Sequence, residues 1–335
     1  MDTNMDTLNA FSVSRLVDRI VEHGGQKSFG WQILDRRGLG VNPGDLAVIA
    51  GRTGHGKSTV LLNLLLHWLE TYPNEMFVLF SYEIPPESVL LKLLSPLIRK
   101  HGSSEWSYHD IRMWMQQGDD HKTAHGGVDD LKRAMETLKS WEDRLTIVYQ
   151  PDWTVDELAK YARELTLGAK KIGAVLVDYL QLVGPPPGAY DTLEAEVAVV
   201  AKILKRLAVS LECPIVAAAQ VSREAARLTD WVPDGTLEDY KVLKAIAKRR
   251  PQLHHLRDGG GEQEADLVLG LLNYRADYIA ACEEADDDRA VDAQNEDAGP
   301  FDVTILKNRH GELGKAPLVF ESKMGFIRDR GVFGR

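Results

Sequence analysis

Only two cysteines, Cys213 and Cys282, occur in 335 residues. They lack the paired spacing of a zinc site and make no disulfide framework, which fits a reducing cytoplasm. Long hydrophobic runs are also missing. The longest, VLLNLLLHWL (60–69), is too short to span a bilayer, so no membrane association is expected. The N-terminus is polar and acidic, unlike a secretory signal. Positive charge is scarce, with a formal net charge of −10. A surface that binds nucleic acid everywhere is thereby excluded, although a local basic strip in a ring or groove is not. No internal repeat is visible. The 44% hydrophobic content is ordinary, so the chain accommodates one large α/β domain with short appendages.

What is present is a repeated strand–helix pattern around a glycine-rich loop. GRTGHGKST (51–59) fits G-x-x-x-x-G-K-[ST], with LAVIA (46–50) as a buried strand before it and STVLLNLLLHWLE (58–70) as a helix after it. The backbone N–H groups of Gly51, Arg52, Thr53, Gly54, His55, Gly56, Lys57, Ser58 and Thr59 would form a concave phosphate site at a helix N-terminus. Lys57 would reach the β- and γ-phosphates, and Ser58 would hold Mg²⁺. Further strands are expected at 76–83, 144–150, 174–183, 214–222 and 265–274, and a terminal pair at 301–308 and 316–322. Helices are expected at 86–100, 155–171 and 192–212. Apolar strands alternating with helices predict a mostly parallel sheet covered on both faces, with an antiparallel hairpin at its edge. Residues 1–29 form a tail with an amphipathic helix at 10–23, which packs on its own domain or docks on a neighbour. Residues 30–330 form the domain. Segments 101–127, 184–191 and 281–299 read as insertions or loops, the last an acidic, solvated block.

Several polar residues fall where the phosphate loop gives them meaning. Asp178 closes the apolar run AVLVD and is placed to hold the Mg²⁺ water shell. Glu83, at a strand exit, is either a base for the attacking water or a charged residue at a strand end. Gln220 either senses a γ-phosphate or caps its strand. Lys307 and Arg309 flank one residue in LKNRHG, so in an extended backbone both reach the same way. They would stabilise a transferring phosphoryl group, from a neighbouring subunit as a finger, or form a solvated hairpin. KVLKAIAKRRPQLHHLR (241–257) is basic throughout, Arg249, Arg250 and Arg257 included, and reads as a nucleic-acid strip or a solvated face.

These pieces in this order resemble the C-terminal ATPase domain of DnaB-type replicative helicases, within the RecA-like superfamily, over roughly residues 30–328. The likeness is carried by FSYEIPPE (80–87), VDYLQLV (177–183), PIVAAAQVSRE (214–224), RPQLHHLRDGGGEQEADLVL (250–269) and ILKNRHGELG (305–314). The resemblance implies a RecA-like fold that hydrolyses ATP with Mg²⁺. Glu83 would be the catalytic base, Asp178 the second metal contact, Gln220 the γ-phosphate sensor, and Lys307 and Arg309 would act in trans. Arg257, Asp258 and Gly260 would lie on a loop that touches single-stranded DNA. It further implies a homo-oligomer, a hexameric ring moving 5′→3′, with a primase or a loader as partners. The helix at 10–23 would be the linker that docks on the adjacent subunit. Only about 30 residues precede the core here, where the family carries a helical domain, and Asp258 stands where the family has Glu. These departures suggest a lone-motor variant of a phage or mobile element. An ATP-driven switch or scaffold in DNA maintenance or defence is the rival reading, and a recombinase the second.

Overall fold

A computed structural model describes residues 25–102, 104–117, 127–168, 170–188, 190–221, 233–256, 261–285 and 287–331. The expected linker helix at 10–23 and the loop residues Arg257, Asp258 and Gly260 lie outside the described residues. The described part begins with a short ribbon, β1 (Lys27–Ser28) paired with β2 (Gly40–Val41), around the one-turn helix α1 (Gln32–Asp35). Asp329, near the end of the chain, caps α1 by accepting from the N–H groups of Gln32 (2.9 Å) and Ile33 (3.0 Å).

Among the described residues the body of the protein is a nine-stranded sheet. Six strands run parallel: β3 (Leu46–Gly51), β4 (Glu75–Ser81), β5 (Leu145–Tyr149), β6 (Lys171–Asp178), β7 (Ile215–Gln220) and β8 (Leu267–Asn273). Their spatial order is β8-β3-β7-β6-β4-β5. β9 (Ala298–Asn308), β10 (Gly314–Glu321) and β11 (Phe326–Asp329) extend the β8 edge antiparallel. The expected parallel sheet with an antiparallel C-terminal hairpin is therefore present, and β11 adds a third antiparallel strand.

Period-two alternation divides each central strand between two cores. Ala47, Ile49, Phe77, Leu79 and Leu176 face one core. There they meet α2 (Lys57–Thr71), α3 (Pro86–His101), α4 (Tyr108–Gln117) and α5 (Val128–Ser140). Val48, Ala50, Val78, Phe80 and Val177 face the other, under α6 (Val155–Leu165) and α7 (Leu193–Leu211). Both of these helices begin at threonines that suit them to do so. Thr154 forms a reciprocal capping box with Glu157, and the Thr192 hydroxyl accepts from Ala195 N–H. A third cluster joins α8 (Tyr240–Ala247), α9 (Tyr274–Glu284) and α10 (Arg289–Asn295) through Val242, Ile246, Tyr278, Cys282 and Ala293.

Four expectations need correction. The strand expected at 174–183 stops at Asp178, and Leu180–Leu182 form a 3-10 turn, because pairing stops there: Ser81 is the last residue of β4 to pair with it, and β7 pairs with it only as far as Val177. The helix expected to run to 171 ends at Leu165, with Gly168 in the turn that follows. Residues 101–127 hold α4, and Trp106 is wholly buried in the main core. The acidic block at 281–299 is not simply a solvated loop. It completes α9 and forms α10, whose Ala290 and Ala293 are buried, while Arg289 donates to the carbonyls of Pro233 (2.7 Å) and Gly235 (2.8 Å).

Candidate nucleotide site

The glycine-rich loop joins the end of β3 to α2, at the C-terminal edge of the parallel strands, where open α/β sheets bind ligands. Gly54 (φ 78°) and Gly56 (φ 82°) take left-handed backbone angles that an L side chain resists. Gly56 caps α2, so the first free N–H groups of that helix line the loop. Lys57 Nζ donates back to the carbonyl of Arg52 (3.0 Å), holding the ammonium over the loop. Burial lowers the Lys57 pKa, opposed by the negative charges of Asp178 and Glu83.

Three strand ends supply the facing groups. Asp178 is buried beside Ser58, whose hydroxyl it engages, and its pKa is raised chiefly by burial. Its Oδ1 is buried and finds no hydrogen-bond partner among the described residues. A buried, unpartnered carboxylate oxygen next to a serine hydroxyl is a hard-oxygen donor set that fits Mg²⁺. Glu83 sits on an exposed bend just beyond β4, near enough for its charge to act on both Lys57 and Asp178. Gln220 ends β7 with Nε2 donating to Thr53 Oγ1 (3.0 Å) in the loop itself. A cavity of about 230 Å³ opens beside Ser58 and Thr59, with Lys92, Tyr108 and Lys323 on its walls.

Two loop side chains are turned onto a neighbouring helix. Arg52 (Nη2–Oδ2 2.5 Å) and His55 (Nε2–Oδ1 3.3 Å) both meet Asp277 of α9, and all three are buried. His55 Nδ1 also accepts from Asn273 N–H (3.2 Å). Burial first of all lowers the His55 pKa. Because Nδ1 accepts the Asn273 N–H, the ring proton sits on Nε2, directed at Asp277. At these two positions only the backbone can serve a ligand. Asp277 was not singled out from the sequence, because its role depends on β8 and β3 being neighbours. Gln181 was also missed as a site residue. Its side chain accepts from Gln220 N–H (3.1 Å) and donates to Gln220 O (2.9 Å), fixing the end of β7.

Lys307 and Arg309 are not at this site. β9 runs antiparallel to β8, with Asn308 opposite Leu267, so the pair lies where the parallel strands begin. Both do reach the same way, donating to the carbonyl of Gln263 (3.1 and 3.2 Å). Arg309 also meets Asp266, whose other carboxylate oxygen accepts from Leu46 N–H at the start of β3. The phosphate loop follows Gly51, at the far end of β3, a rise of roughly 17 Å from Leu46 at about 3.3 Å per residue.

The basic strip is divided. Lys241, Lys244 and Lys248 are exposed, spaced three and four apart along and just beyond α8. Arg250 is turned inward, donating to Asp302 (Nε 3.0 Å) and to the Tyr274 hydroxyl (2.5 Å). Arg249 is half-buried, and burial lowers its pKa. Neither arginine is brought to an open surface with the lysines.

Comparison with known proteins agrees with this architecture. A family model described as "DnaB-like helicase C terminal domain" matches residues 28–239 and 241–329. The replicative DNA helicase DnaB of Pasteurella multocida is 28% identical over 299 residues, 88% of this chain and 54% of that protein. The replicative DNA helicase DnaC of Bacillus subtilis is 26% identical over 292 residues, 87% and 54%. The chain thus spans about half the length of these relatives. Among solved structures, the ATPase domain of G40P superposes with a TM-score of 0.70 at 20% identity, covering 96% of this chain and all of that one. A DnaB-like replicative helicase, described with its interactions with primase, superposes with 0.69 at 19% identity, covering 96% and 68%. The fold is RecA-like, and the chain belongs to the family of DnaB-like helicase C-terminal domains.

Proposed function

We propose that this chain is an ATP-driven motor that hydrolyses ATP between subunits of a ring, moves along single-stranded DNA and unwinds duplex. The observation that carries this reading is the separation of the cation pair from the phosphate loop. An arginine side chain cannot cross roughly 17 Å of sheet, which keeps Lys307 and Arg309 from this chain's own loop and supports a role for them at a neighbour's. A hexamer and 5′→3′ movement are the family's form of that arrangement. A primase or a loader as partner belongs to the same proposal.

The residues divide the chemistry as follows. The loop N–H groups and Lys57 bind and orient the phosphates. Ser58 and Asp178 would hold Mg²⁺, which would supply positive charge against the negative charge developing on the phosphates. Glu83, exposed at the mouth, accepts the proton of the attacking water. The neighbour's Lys307 and Arg309 stabilise the negative charge of the transition state. Gln220, bonded to Thr53 and clamped by Gln181, links the occupant of the loop to β7. From β7 the chain continues to the lysines of α8, which with Arg257, Asp258 and Gly260 would follow the DNA backbone.

One observation favours the second reading, an ATPase switch or scaffold without unwinding: Arg250 is spent on Asp302 and Tyr274 rather than offered to DNA. Steady-state ATP hydrolysis with and without single-stranded DNA separates the two. The motor reading expects marked stimulation by DNA that weakens as salt rises and is lost in Arg257→Ala. Absence of stimulation at every salt concentration would leave the switch.

A further inference from the structure

We propose that Asp266 is the positioning residue that aims Arg309 at the neighbouring subunit's nucleotide, and that Asp45 shares the task through His310. The inference rests on the in-trans role proposed above for Arg309 and names what holds that side chain ready.

Asp266 immediately precedes β8 and is buried. Its two oxygens do different work. Oδ2 accepts from Leu46 N–H (2.9 Å) and from Lys205 Nζ (2.6 Å), tying β8 to the start of β3 and to α7. Oδ1 accepts from Arg309 Nη1 (2.9 Å), while the Asp266 carbonyl accepts from Arg309 N–H (2.9 Å). Burial by itself would raise the Asp266 pKa. The Lys205 and Leu46 bonds, with the charges of Lys205 and Arg309, outweigh it and hold the carboxyl below its usual range.

The next residue is tethered in the same manner. His310 meets Asp45 Oδ1 (2.9 Å), just before β3, and its N–H donates to Asn308 Oδ1 (3.0 Å). Asp45 is itself fixed by the N–H and side-chain amide of Asn42, both at 2.8 Å. The turn that follows β9 is therefore pinned on two buried carboxylates at the N-terminal edge of the sheet. Asp45, Asp266 and His310 lie close enough to suggest a metal cluster. The Asp266 oxygens, however, are already filled by Lys205, Arg309 and a backbone N–H, which reads as an ion-pair platform.

This arrangement suits a residue that must act across an interface. A guanidinium has five N–H donors in a rigid fork. One Arg309 nitrogen is given to Asp266 and another to the Gln263 carbonyl, and the side chain remains 48% exposed, so donors are left to face outward. Lys205 balances the charge of Asp266, so the exposed end of Arg309 keeps its positive field. A long, flexible side chain is thus restricted before the neighbour arrives, which lowers the entropy lost in reaching the transition state.

The test is a double-mutant cycle on the DNA-stimulated ATPase of the full chain, comparing wild type, Arg309→Ala, Asp266→Asn and the double variant. Asp266→Asn should lower kcat on the order of tenfold with KM for ATP nearly unchanged, and should cost nothing further in the Arg309→Ala background. A wild-type kcat, or losses that multiply in the double variant, would overturn the inference. If Asp266→Asn fails to fold, His310→Ala decides, since His310 is exposed and leaves Asp266 in place. It should lower kcat a few-fold with an unchanged unfolding midpoint and have no effect in the Arg309→Ala background; an unchanged kcat overturns the inference. Full activity in Arg309→Ala itself would overturn the in-trans role and this inference together. A strongly impaired Arg309→Ala beside a fully active Asp266→Asn overturns the inference alone.

Discussion

Glu83 and His55 show how differently two polar residues near one loop behave. Glu83 is exposed and close to Lys57 and Asp178. Glu83→Gln should leave ATP binding intact and abolish turnover; a variant with normal hydrolysis would remove Glu83 from the role of base. Burial lowers the His55 pKa below its ordinary value of about 6.5. The sign follows from proton uptake. Above that ordinary pKa both folded and unfolded chains carry neutral imidazole, and stability is complete. As pH falls through it toward the folded value, the unfolded chain binds a proton that the folded one excludes, and stability is lost. His67 is shifted the same way, also by burial first. His55→Gln keeps an acceptor for Asn273 N–H and a donor for Asp277, yet cannot titrate. Between about pH 8 and about pH 5 its melting temperature should fall less steeply than that of the wild type. Parallel slopes would mean that His55 does not set the linkage.

At the scale of elements, the segment at 101–127 makes the sharpest prediction. Trp106 is fully buried against the main core, and its carbonyl accepts from Ser95 Oγ (2.5 Å). Trp106→Ala should destabilise the protein by about 3–5 kcal/mol in a denaturant titration, whereas a loop tryptophan would cost almost nothing. That segment also shows where sequence reading runs out. The central strands were legible because apolar runs such as LAVIA and AVLVD are bounded by turn residues. The phosphate loop was legible because its glycines and lysine have fixed spacing within a strand–loop–helix. Trp106 and α10 were not, because polar and acidic residues surround them and their burial comes from tertiary contacts rather than period. Asp277, Gln181 and Asp266 were missed as site residues for a related reason. Each acts through a partner on another strand end or helix, and only the order β8-β3-β7-β6 brings those partners together. Arg250 carries the opposite lesson, since a basic run in sequence says nothing about which of its members fold inward onto Asp302.

At the scale of the whole molecule, the proposed function turns on which groups the sheet places at which edge. Parallel β3 and β8 put the phosphate loop at one edge, and antiparallel β9 returns Lys307 and Arg309 to the other. The central claim is that hydrolysis occurs between subunits, and subunit mixing tests it most directly. Lys57→Ala keeps the cation pair and loses the phosphate site, whereas Arg309→Ala does the reverse. Each should keep only a small residual activity alone, and mixing them should raise ATP hydrolysis well above either, at the interfaces where an intact loop faces an intact arginine. Mixtures no more active than their components, or an Arg309→Ala protein that hydrolyses ATP at the wild-type rate, would contradict the account.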